Sequence, residues 1–285
     1  MANTFITIKE IARQALPRLI ENLVMPNLVH KDFSNDFELG KGATIQVRKP
    51  VMLTAAEFNG TVETKAVTEE SVEVSLNKLA TVDVAFAAIE RATNVDDLNR
   101  LFIEPAAVAL AQKINTDGLA LLKEISASAT AEAASLKPFS EAAKVLNKAK
   151  VPLLPRHGVW SPDAEAEFRT VDAIVHAEKS GSTAALRTGS IGNIFGIDNY
   201  MAQGVDASML GCVFHPYAFA FVTRPLAQPS GVESYTTSYN GITLRVTKGY
   251  DMKTKTEMLS MDVLYGYKTL DKNLAVKVVS AGAAG

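Results

Sequence analysis

Four histidines, a single cysteine and a glycine-rich turn are the features of this 285-residue chain that could do chemistry. Imidazole and thiolate are the usual zinc ligands, and they bind in recognisable spacings such as HxH, HExxH or CxxC. None of these spacings joins His30, His157, His176 and His215. We therefore expect each histidine to be a surface or capping residue, and we expect no metal site.

The cysteine, Cys212, is flanked by Leu210-Gly211 on one side and by Val213-Phe214 on the other. Apolar surroundings raise the pKa of a thiol and suppress the thiolate that acts as a nucleophile. Cys212 is therefore predicted to be a buried, unreactive thiol. Because it is the only cysteine, no intrachain disulfide can form, which fits a reducing compartment.

The glycine-rich turn contains Gly189, Gly192 and Gly196 and invites comparison with phosphate-binding loops. The spacing matches neither GxGxxG nor GxxxxGK(S/T), and the turn leads into a strand instead of following one. That order is the reverse of the strand, loop and helix that hold a phosphate. The pattern therefore predicts a turn followed by a strand.

Two carboxylate pairs, Asp96-Asp97 and Glu69-Glu70, are typical of a helix start and of a solvated loop. An enzyme would need a clustered site, and the residues available for one are Ser161 or His157 together with the glycine-rich turn. A soluble enzyme stays open as an alternative at this point. The residues themselves predict no catalytic group and no cofactor.

The composition is that of a soluble globular protein, with 47% hydrophobic and 21% charged residues. A net charge of −2 argues against a dedicated nucleic-acid binder, since such proteins carry a marked basic excess. No apolar run approaches the roughly 20 residues that cross a bilayer. The N-terminus lacks the charged-then-apolar layout of a secretory signal, so we expect folding in a cytoplasm and no membrane partner.

Residues 71–86 carry the longest alternating pattern in the chain. Every even position except Lys78 is apolar, so these side chains share one face of a strand. Sixteen residues in one strand would extend about 50 Å at about 3.3 Å per residue. Such a strand is longer than the body that this chain can form, so we expect its apolar face to be covered by another subunit.

A partner strand is predicted upstream over residues 43–53, where Pro50 marks an edge strand. The intervening segment, residues 54–70, contains the turn dipeptide Asn59-Gly60 and is acidic. The two strands are predicted to form a ribbon that projects from the body. An ordinary hairpin inside a β-rich domain is the alternative.

Helical patterns flank this ribbon. Thr7 and Glu10 form a capping box before an amphipathic, mildly basic helix that extends to residue 24. Pro17 is expected to kink or divide this helix, and Pro26 to stop it. After the ribbon, a helix starts near Asp97 and continues from residue 105 to 125, a length of about 30 Å.

Shorter elements fill the second half of the chain. Residues 126–135 are rich in alanine and serine and are predicted to be a connector. Helices are expected at 140–149, after Ser161-Pro162, and at 215–222. Strands are expected at 157–160, 194–197, 232–238, 241–247, 259–267 and 274–279.

The order of these parts resembles the major capsid proteins of tailed bacteriophages, which have the Hong Kong-type capsid fold, and in particular the podovirus coat-protein branch. Residues 42–53 and 70–86 resemble the E-loop and its return. Residues 192–198 are similar to the turn and strand of the A-domain, and residues 214–219 to the start of its helix. Residues 240–270 resemble the closing strands of the P-domain, so the resemblance covers nearly the whole chain.

The resemblance implies an α+β capsid fold with an N-arm (1–35), an E-loop ribbon with its return strand (36–90) and a P-domain spine helix (91–135). An A-domain (136–245) and closing P-domain strands with a flexible tail (246–285) would follow. The implied function is a shell subunit, not an enzyme, that self-assembles around double-stranded DNA. An encapsulin-like shell that holds a cargo enzyme is the alternative on the same fold.

The implied partners are further copies in pentamers and hexamers, a portal protein, a separate scaffolding protein, a decoration protein and DNA bound without sequence specificity. The implied location is the virion capsid, assembled in the host cytoplasm. Contacts between subunits are expected where a basic N-terminal segment meets the acidic ribbon. The candidate residues are Lys9, Arg13, Arg18, Arg48, Glu57, Glu63, Lys65, Glu69 and Glu70.

Overall fold

The computed structural model describes residues 8–31, 44–48, 70–86, 102–175, 191–252 and 256–281. Helices and strands are mixed along the chain, so the predicted α+β class is confirmed. The helices are α1 (Ile8–Glu21), α2 (Met25–Leu28), α3 (Glu104–Leu119), α4 (Lys137–Lys148), α5 (Pro162–Phe168) and α6 (Asp172–Val175). The strands are β1 (Thr44–Arg48), β2 (Ser71–Ser75), β3 (Lys78–Phe86), β4 (Ser128–Ala131), β5 (His157–Trp160), β6 (Asn193–Ile194), β7 (Ile197–Met201), β8 (Gly211–Phe214), β9 (Phe219–Arg224), β10 (Glu233–Tyr239), β11 (Ile242–Asp251), β12 (Thr256–Thr269) and β13 (Ala275–Ser280).

The first helix packs against its own chain. Its apolar side buries Ile8, Ile11, Ala12, Ala15, Leu16 and Leu19, and it contacts α3, β10 and β11. Pro17 does not divide α1, because it lies on the exposed side, where solvent can replace the missing backbone hydrogen bond. Pro26 does not stop α1 either. The helix ends at Glu21, and Pro26 lies in the first turn of α2, where its missing N–H costs nothing.

The alternating pattern at 71–86 forms two strands instead of one. The strand breaks at residues 76–77, between β2 and β3, but the alternation continues across the break. Val74, Leu76 and Ala80 are buried, and the odd positions from 71 to 85 are exposed. The predicted face is therefore confirmed, whereas the continuous sixteen-residue strand is wrong. The alternative of an ordinary hairpin is confirmed in one part: β1 pairs antiparallel with β2 from Thr44↔Ser75 to Arg48↔Ser71.

The long helix α3 begins at Glu104 with Pro105 in its first turn, as predicted. It ends at Leu119 and continues as a 3-10 helix over Ala120–Glu124. Sixteen helical residues span about 24 Å at 1.5 Å per residue, which is shorter than the predicted 30 Å. Residues 87–101, where the predicted helix near Asp97 would begin, lie outside the described residues.

The five-stranded sheet has the antiparallel order β10-β11-β12-β3, with β9 beside the C-terminal half of β12. The predicted helix at 215–222 is wrong. A single 3-10 turn over Pro216–Ala218 leads directly into β9, whose aromatic and β-branched residues suit a buried strand. Helices α1 and α3 lie against this sheet and enclose the larger hydrophobic core.

The six-stranded sheet has the order β4-β13-β8-β5-β7-β6. The alanine- and serine-rich connector predicted at 126–135 contains β4, which pairs in parallel with β13; this neighbour supplies the ladder that the composition did not indicate. Helix α4 begins at Lys137, three residues before the predicted start at Ser140. Above the sheet, the rings of Phe139, Trp160 and Phe168 pack with centroids 4.7–5.0 Å apart.

Sheet membership divides the chain differently from the predicted boundaries. Strands β9, β10 and the first residues of β11 fall in the predicted 136–245 unit but belong to the five-stranded sheet. Strand β13 falls in the predicted closing unit but belongs to the six-stranded sheet. Two crossovers join the sheets side by side, since the backbone N–H of Leu270 donates to Ala218 O and that of His215 donates to Leu274 O.

Candidate functional site

Ser161 and His157, the residues of the enzyme hypothesis, lie at opposite ends of β5. The Ser161 hydroxyl accepts a hydrogen bond from the Ala164 backbone N–H at 3.2 Å and so caps α5. His157 Nδ1 lies 3.9 Å from Asp198 Oδ2, which is too long for a hydrogen bond. The strand separates the two side chains by about 13 Å at 3.3 Å per residue. They therefore cannot act as a nucleophile with its base, which requires hydrogen-bond reach.

Three of the four histidines surround the crossovers between the two larger sheets. The ring of His30 packs on Tyr217 with centroids 4.4 Å apart, and Tyr217 stacks on His215 at 5.5 Å. His215 Nδ1 accepts a hydrogen bond from the Tyr217 backbone N–H at 3.4 Å, so the predicted capping role is confirmed there. His157 packs edge-on against Phe214, the last residue before this junction. The spacing of the histidines gave no sign of this proximity, because they come from three separate elements.

Burial sets the charge state of this histidine cluster. The pKa of His215 is lowered by burial and further by the nearby charges of Arg156 and His157. The pKa of His157 is also lowered by burial, which outweighs the opposing attraction of Asp198. Burial therefore favours the neutral imidazole at His157 and His215. Within the described part of the chain, no group of three or more histidine, cysteine, aspartate or glutamate side chains is placed to hold a metal ion.

Cys212 lies in the centre of the six-stranded sheet, on β8, and is fully buried. Burial raises the pKa of its thiol to about 12. The thiol is thus protonated at neutral pH and inaccessible, as the flanking residues predicted.

The glycine-rich turn is the tip of the β6–β7 hairpin. Phe195 and Gly196 occupy its two central positions with φ of 51° and 76°, the left-handed pair of a type I′ turn. The Gly196 N–H donates to Asn193 Oδ1 at 3.2 Å, so this amide is satisfied inside the turn. Gly189 lies outside the described residues. The strand predicted at 194–197 is wrong in position. Residues 195–196 form the turn itself, because their left-handed backbone reverses the chain, and strand β7 begins at Ile197.

The ribbon of β1 and β2 leaves the five-stranded sheet at Gly266. A Cβ at this position would collide with the backbone carbonyl of Ser75, so only glycine permits β2 to approach β12 this closely. The ribbon's base packs on β9 and the residue after β12 in a separate small core. That core consists of Ile45, Val47, Val74, Leu76, Ala220, Val222 and Leu270.

This packing corrects the expectation that another subunit covers the apolar face of the ribbon. Val74 and Leu76 are already buried by their own chain, and so is Ala80 on β3. The fold can cover them because the strand breaks after β2. Strand β3 pairs with β12, whereas β2 pairs with β1 and packs in the small core. The upper part of the predicted ribbon, residues 49–69, lies outside the described residues.

The charged contact candidates are placed as follows. Arg18 pairs with Glu21 at 3.2 Å and with Glu104 at 3.3 Å, so it ties α1 to α3 within the chain. Lys9 Nζ lies 5.9 Å from the centroid of the Tyr235 ring. The remaining described candidates, Arg13, Arg48 and Glu70, are exposed. Glu57, Glu63, Lys65 and Glu69 lie outside the described residues.

Large exposed apolar side chains are a feature that the sequence analysis missed. Leu153 and Leu154 are each 69% exposed, and Phe195 is 60% exposed. Gly196 brings the hairpin turn against Leu154, since a Cβ there would lie 3.7 Å from Leu154 Cδ2. The hairpin turn therefore lies beside Leu154. None of the described helices is both long and apolar enough to cross a membrane.

Comparisons with known proteins identify solved structures of similar architecture. Neither the protein-family models nor the curated proteins contain a match. Among solved structures, a protein of Mycobacterium phage Che8 is 20% identical with a TM-score of 0.63, and the alignment covers 92% of each chain. The capsid of Ralstonia phage GP4 is 12% identical with a TM-score of 0.61, covering 88% of this chain and 86% of that one. The capsid of cyanophage P-SCSP1u is 13% identical with a TM-score of 0.58, covering 85% of each chain. The chain therefore has the fold of these phage structures.

Proposed function

We propose that this chain is the major capsid protein of a tailed bacteriophage, a structural subunit that self-assembles into an icosahedral shell around double-stranded DNA. The observation that carries the proposal is the extent of the fold likeness. It covers 85% or more of this chain and of two phage capsid structures. A likeness of this extent includes both larger sheets and the helices that cover them, so it is not limited to one common motif.

In this proposal α1 corresponds to the N-arm, the ribbon of β1 and β2 to the base of the E-loop, and α3 to the spine helix. The five-stranded sheet then corresponds to the P-domain and the six-stranded sheet to the A-domain. Two arrangements support this assignment. Strand β2 of the ribbon leads into β3, which is an edge strand of the five-stranded sheet. Helix α3 lies against that same sheet.

We retain all of the charged residues as candidate contacts between subunits. Arg13, Arg48 and Glu70 are exposed and are joined by Glu57, Glu63, Lys65 and Glu69 from the sequence. An exposed ion pair contributes only about 0–1 kcal/mol and is screened by salt. A closed shell repeats each pair in every subunit, which multiplies its effect on assembly.

The partners that follow from the proposal are further copies of the chain in pentamers and hexamers, a portal protein, a separate scaffolding protein and a decoration protein. The packaged DNA would be enclosed without sequence-specific contacts. A net charge of −2 supports this, because a strongly basic wall would bind phosphate through counterion release. The location would be the virion capsid after assembly in the host cytoplasm.

Electron microscopy of the purified chain tests the proposal. We expect closed shells or rings of subunits, and a protein that stays monomeric at every concentration would contradict it. Analysis of the contents of particles isolated from the natural host separates the two shell functions. DNA supports a capsid, whereas a packaged cargo protein supports the encapsulin-like alternative. The enzyme alternative gains no support from Ser161 and His157, which the fold keeps apart.

A further inference from the structure

The outer edge of β10 is a sheet edge that the fold leaves open. Strand β10 pairs with β11 along its whole length, from Glu233↔Lys248 to Tyr239↔Ile242, and it is the last strand of the five-stranded sheet. Among the described residues, no strand pairs with its other side. No residue of β10 is buried. An open edge of this kind presents backbone N–H and C=O groups to which a further strand can bond.

The sequence of β10 does nothing to prevent such pairing. Folded proteins usually protect an open edge with charged residues, prolines, bulges or a very short strand. From Ser234 to Tyr239 the strand contains no charged residue and no proline. Its register with β11 is continuous, so it contains no bulge. Threonine and tyrosine, which make up most of this segment, favour an extended strand.

The other edge strands of the described sheets are protected. Strands β4 and β6 have only four and two residues. Strand β9 is bridged to His30 through Ala220. The remaining edge strands, β1, β2 and β3, each contain charged residues, namely Arg48, Glu73, Lys78 and Asp83. The edge of β10 is therefore the described edge that most favours pairing with another strand.

Helix α1 leaves this edge accessible. It contacts both β10 and β11, and Lys9 Nζ lies 5.9 Å from the centroid of the Tyr235 ring. A helix that contacts two adjacent strands lies across the face of the sheet and not beside its last strand. Tyr235 packs on the core under this helix. Because side chains alternate along a strand, Ser234, Thr236 and Ser238 lie on the opposite face.

The middle residue of β10 carries an unsatisfied hydroxyl. Oγ1 of Thr236 is covered by protein and has no hydrogen-bond partner among the described residues. Ser238, two residues further on, shares a 2.9 Å hydrogen bond with the Thr243 hydroxyl of β11. A covered hydroxyl without a partner costs free energy. A rotation about χ1 of Thr236 would turn its hydroxyl towards a strand added at the open edge.

We propose that β10 pairs antiparallel with β10 of a second copy of this chain, so that the five-stranded sheet continues from one subunit into the next. A two-fold axis perpendicular to the sheet relates the two copies and keeps the same face outward in both, as a closed shell requires. Only the register centred on Thr236 then pairs every residue of the strand.

This register is compatible with the side chains of β10. It sets Thr236 opposite its own copy and Ser234 opposite Ser238, and threonine and serine pairs of this kind stabilise a sheet. It also sets Glu233 opposite Tyr239, which keeps the two Glu233 carboxylates apart. The proposal rests on the proposed shell function. It adds to it the contact between neighbouring rings of subunits, since a two-fold contact joins copies in pairs and cannot itself close a ring of five or six.

A charge exchange at Thr236 tests whether the residue meets its own copy. Thr236→Lys sets two lysines opposite each other, and Thr236→Glu sets two carboxylates opposite each other. Each variant alone should weaken association at least tenfold in sedimentation velocity, because like charges directly opposite destabilise a strand pair. An equimolar mixture of the two variants should restore association, since each lysine then meets a glutamate.

The matched controls are Thr81→Lys and Thr81→Glu, at an exposed position of β3, the other edge of the same sheet. They should associate like wild type, both alone and mixed. Loss at Thr81 with recovery on mixing would overturn the proposal, because the pairing edge would then be β3. Loss at Thr236 without recovery on mixing would overturn it as well, because Thr236 would then not meet its own copy.

A cysteine at the same position tests the contact without a change of charge. Cys212 is fully buried, so the new thiol of Thr236→Cys is the one that a reagent reaches in the native protein. A short bis-maleimide linker should join two copies of this variant in assembled particles, whereas Thr81→Cys should stay unlinked. Thermal melts show whether each variant folds. Assembled particles in which Thr236→Cys does not cross-link would overturn the proposal even if the charged variants misfold.

The outcomes separate this contact from the proposed function. If wild type forms shells and both charged Thr236 variants assemble equally well, the contact is wrong and the shell function stands. If wild type stops at dimers that Thr236→Cys cross-links, the contact is supported and the shell function is wrong. If wild type stays monomeric at every concentration, both are wrong.

Discussion

The Tyr265 hydroxyl donates a 2.6 Å hydrogen bond to Asp117 Oδ2 and thereby fixes the long helix α3 to β12, a central strand of the five-stranded sheet. Asp117 also pairs with Lys113 Nζ at 2.9 Å and with Lys78 Nζ on β3 at 3.3 Å. One carboxylate therefore connects a helix with two adjacent strands. Lys78, the one position that interrupts the apolar face of residues 71–86, is the residue that reaches this carboxylate.

Tyr265→Phe should lower the free energy of unfolding by about 1.5–3 kcal/mol, the contribution of a hydrogen bond to a charged group. Tyr265 is fully buried, so phenylalanine keeps the packing of the ring and removes only the hydrogen bond. Chemical denaturation at pH 7 measures the change. Tyr239→Phe, at a residue 69% exposed, is the control and should change little. Equal stability of the two variants would show that the bond does not stabilise the fold.

The stabilisation by Asp117 should be lost in acid. Burial tends to raise the pKa of Asp117, but the hydrogen bonds from Tyr265 and Lys113 and the charges of Lys78 and Lys113 lower it overall. The stabilisation is therefore complete above the unfolded pKa of about 3.9 and disappears as the pH falls through the lower folded value. The difference in unfolding free energy between wild type and Asp117→Asn should shrink across this range, and a pH-independent difference would contradict the assignment.

Gly118→Ala should destabilise the protein although alanine favours helices. A Cβ at Gly118 would lie 2.8 Å from Tyr267 Cζ and 3.1 Å from Met25 Cβ. Overpacking of this kind costs about 1–3 kcal/mol, whereas the gain in helix propensity is about 1 kcal/mol. Thermal melts measure the balance. Gly249→Ala serves as the control, because the nearest atom to its Cβ is 3.5 Å away, and a more stable Gly118→Ala would refute the close approach.

Mild acid should destabilise the junction between the sheets. The pKa values of His157 and His215 are lowered in the folded state, so the unfolded chain binds more protons as the pH falls below about 6.5. Stability is complete above that pH and decreases until the folded pKa values are reached. His215→Asn keeps an acceptor for the Tyr217 N–H and should reduce the slope. A wild-type unfolding free energy that is constant from pH 7.5 to 5 would contradict this expectation.

Cys212 should be unreactive in the folded protein. Its thiol is fully buried, and its pKa is raised to about 12. A thiol reagent at pH 8 should therefore label one cysteine only after denaturation. Cys212→Ala should assemble like wild type and lose at most a few kcal/mol of stability, as small core truncations do. Rapid labelling of the native protein would show that β8 opens.

The predicted ribbon should serve assembly more than folding. Replacing residues 52–68 by a short glycine-rich turn leaves β1, β2 and their small core in place. We expect a soluble protein with a cooperative thermal melt that no longer forms shells. Val47→Asp, which places a charge in the small core, is the contrasting variant and should lower the melting temperature. Shells formed by the shortened protein, or its failure to fold, would refute this division.

The sequence by itself determined which side of each strong pattern is buried. The alternation at 71–86 predicts the buried face through Val74, Leu76 and Ala80, because the two-residue period follows from the geometry of any strand. Ser161-Pro162 predicts the start of α5 for a similar reason, since a cap and a first-turn proline act on their own helix. The order of such local elements also predicted the capsid fold that the structural comparisons bear out.

Only the tertiary structure decided the features that depend on distant neighbours. Residues 215–222 become a turn and a strand because β12 offers a ladder, and 128–131 become a strand because β13 does. The break after β2 occurs where Gly266 admits Ser75, a contact between positions almost two hundred residues apart. The histidine cluster arises in the same way. It joins residues from separate elements whose meeting depends on sheet topology, and no local spacing records that topology.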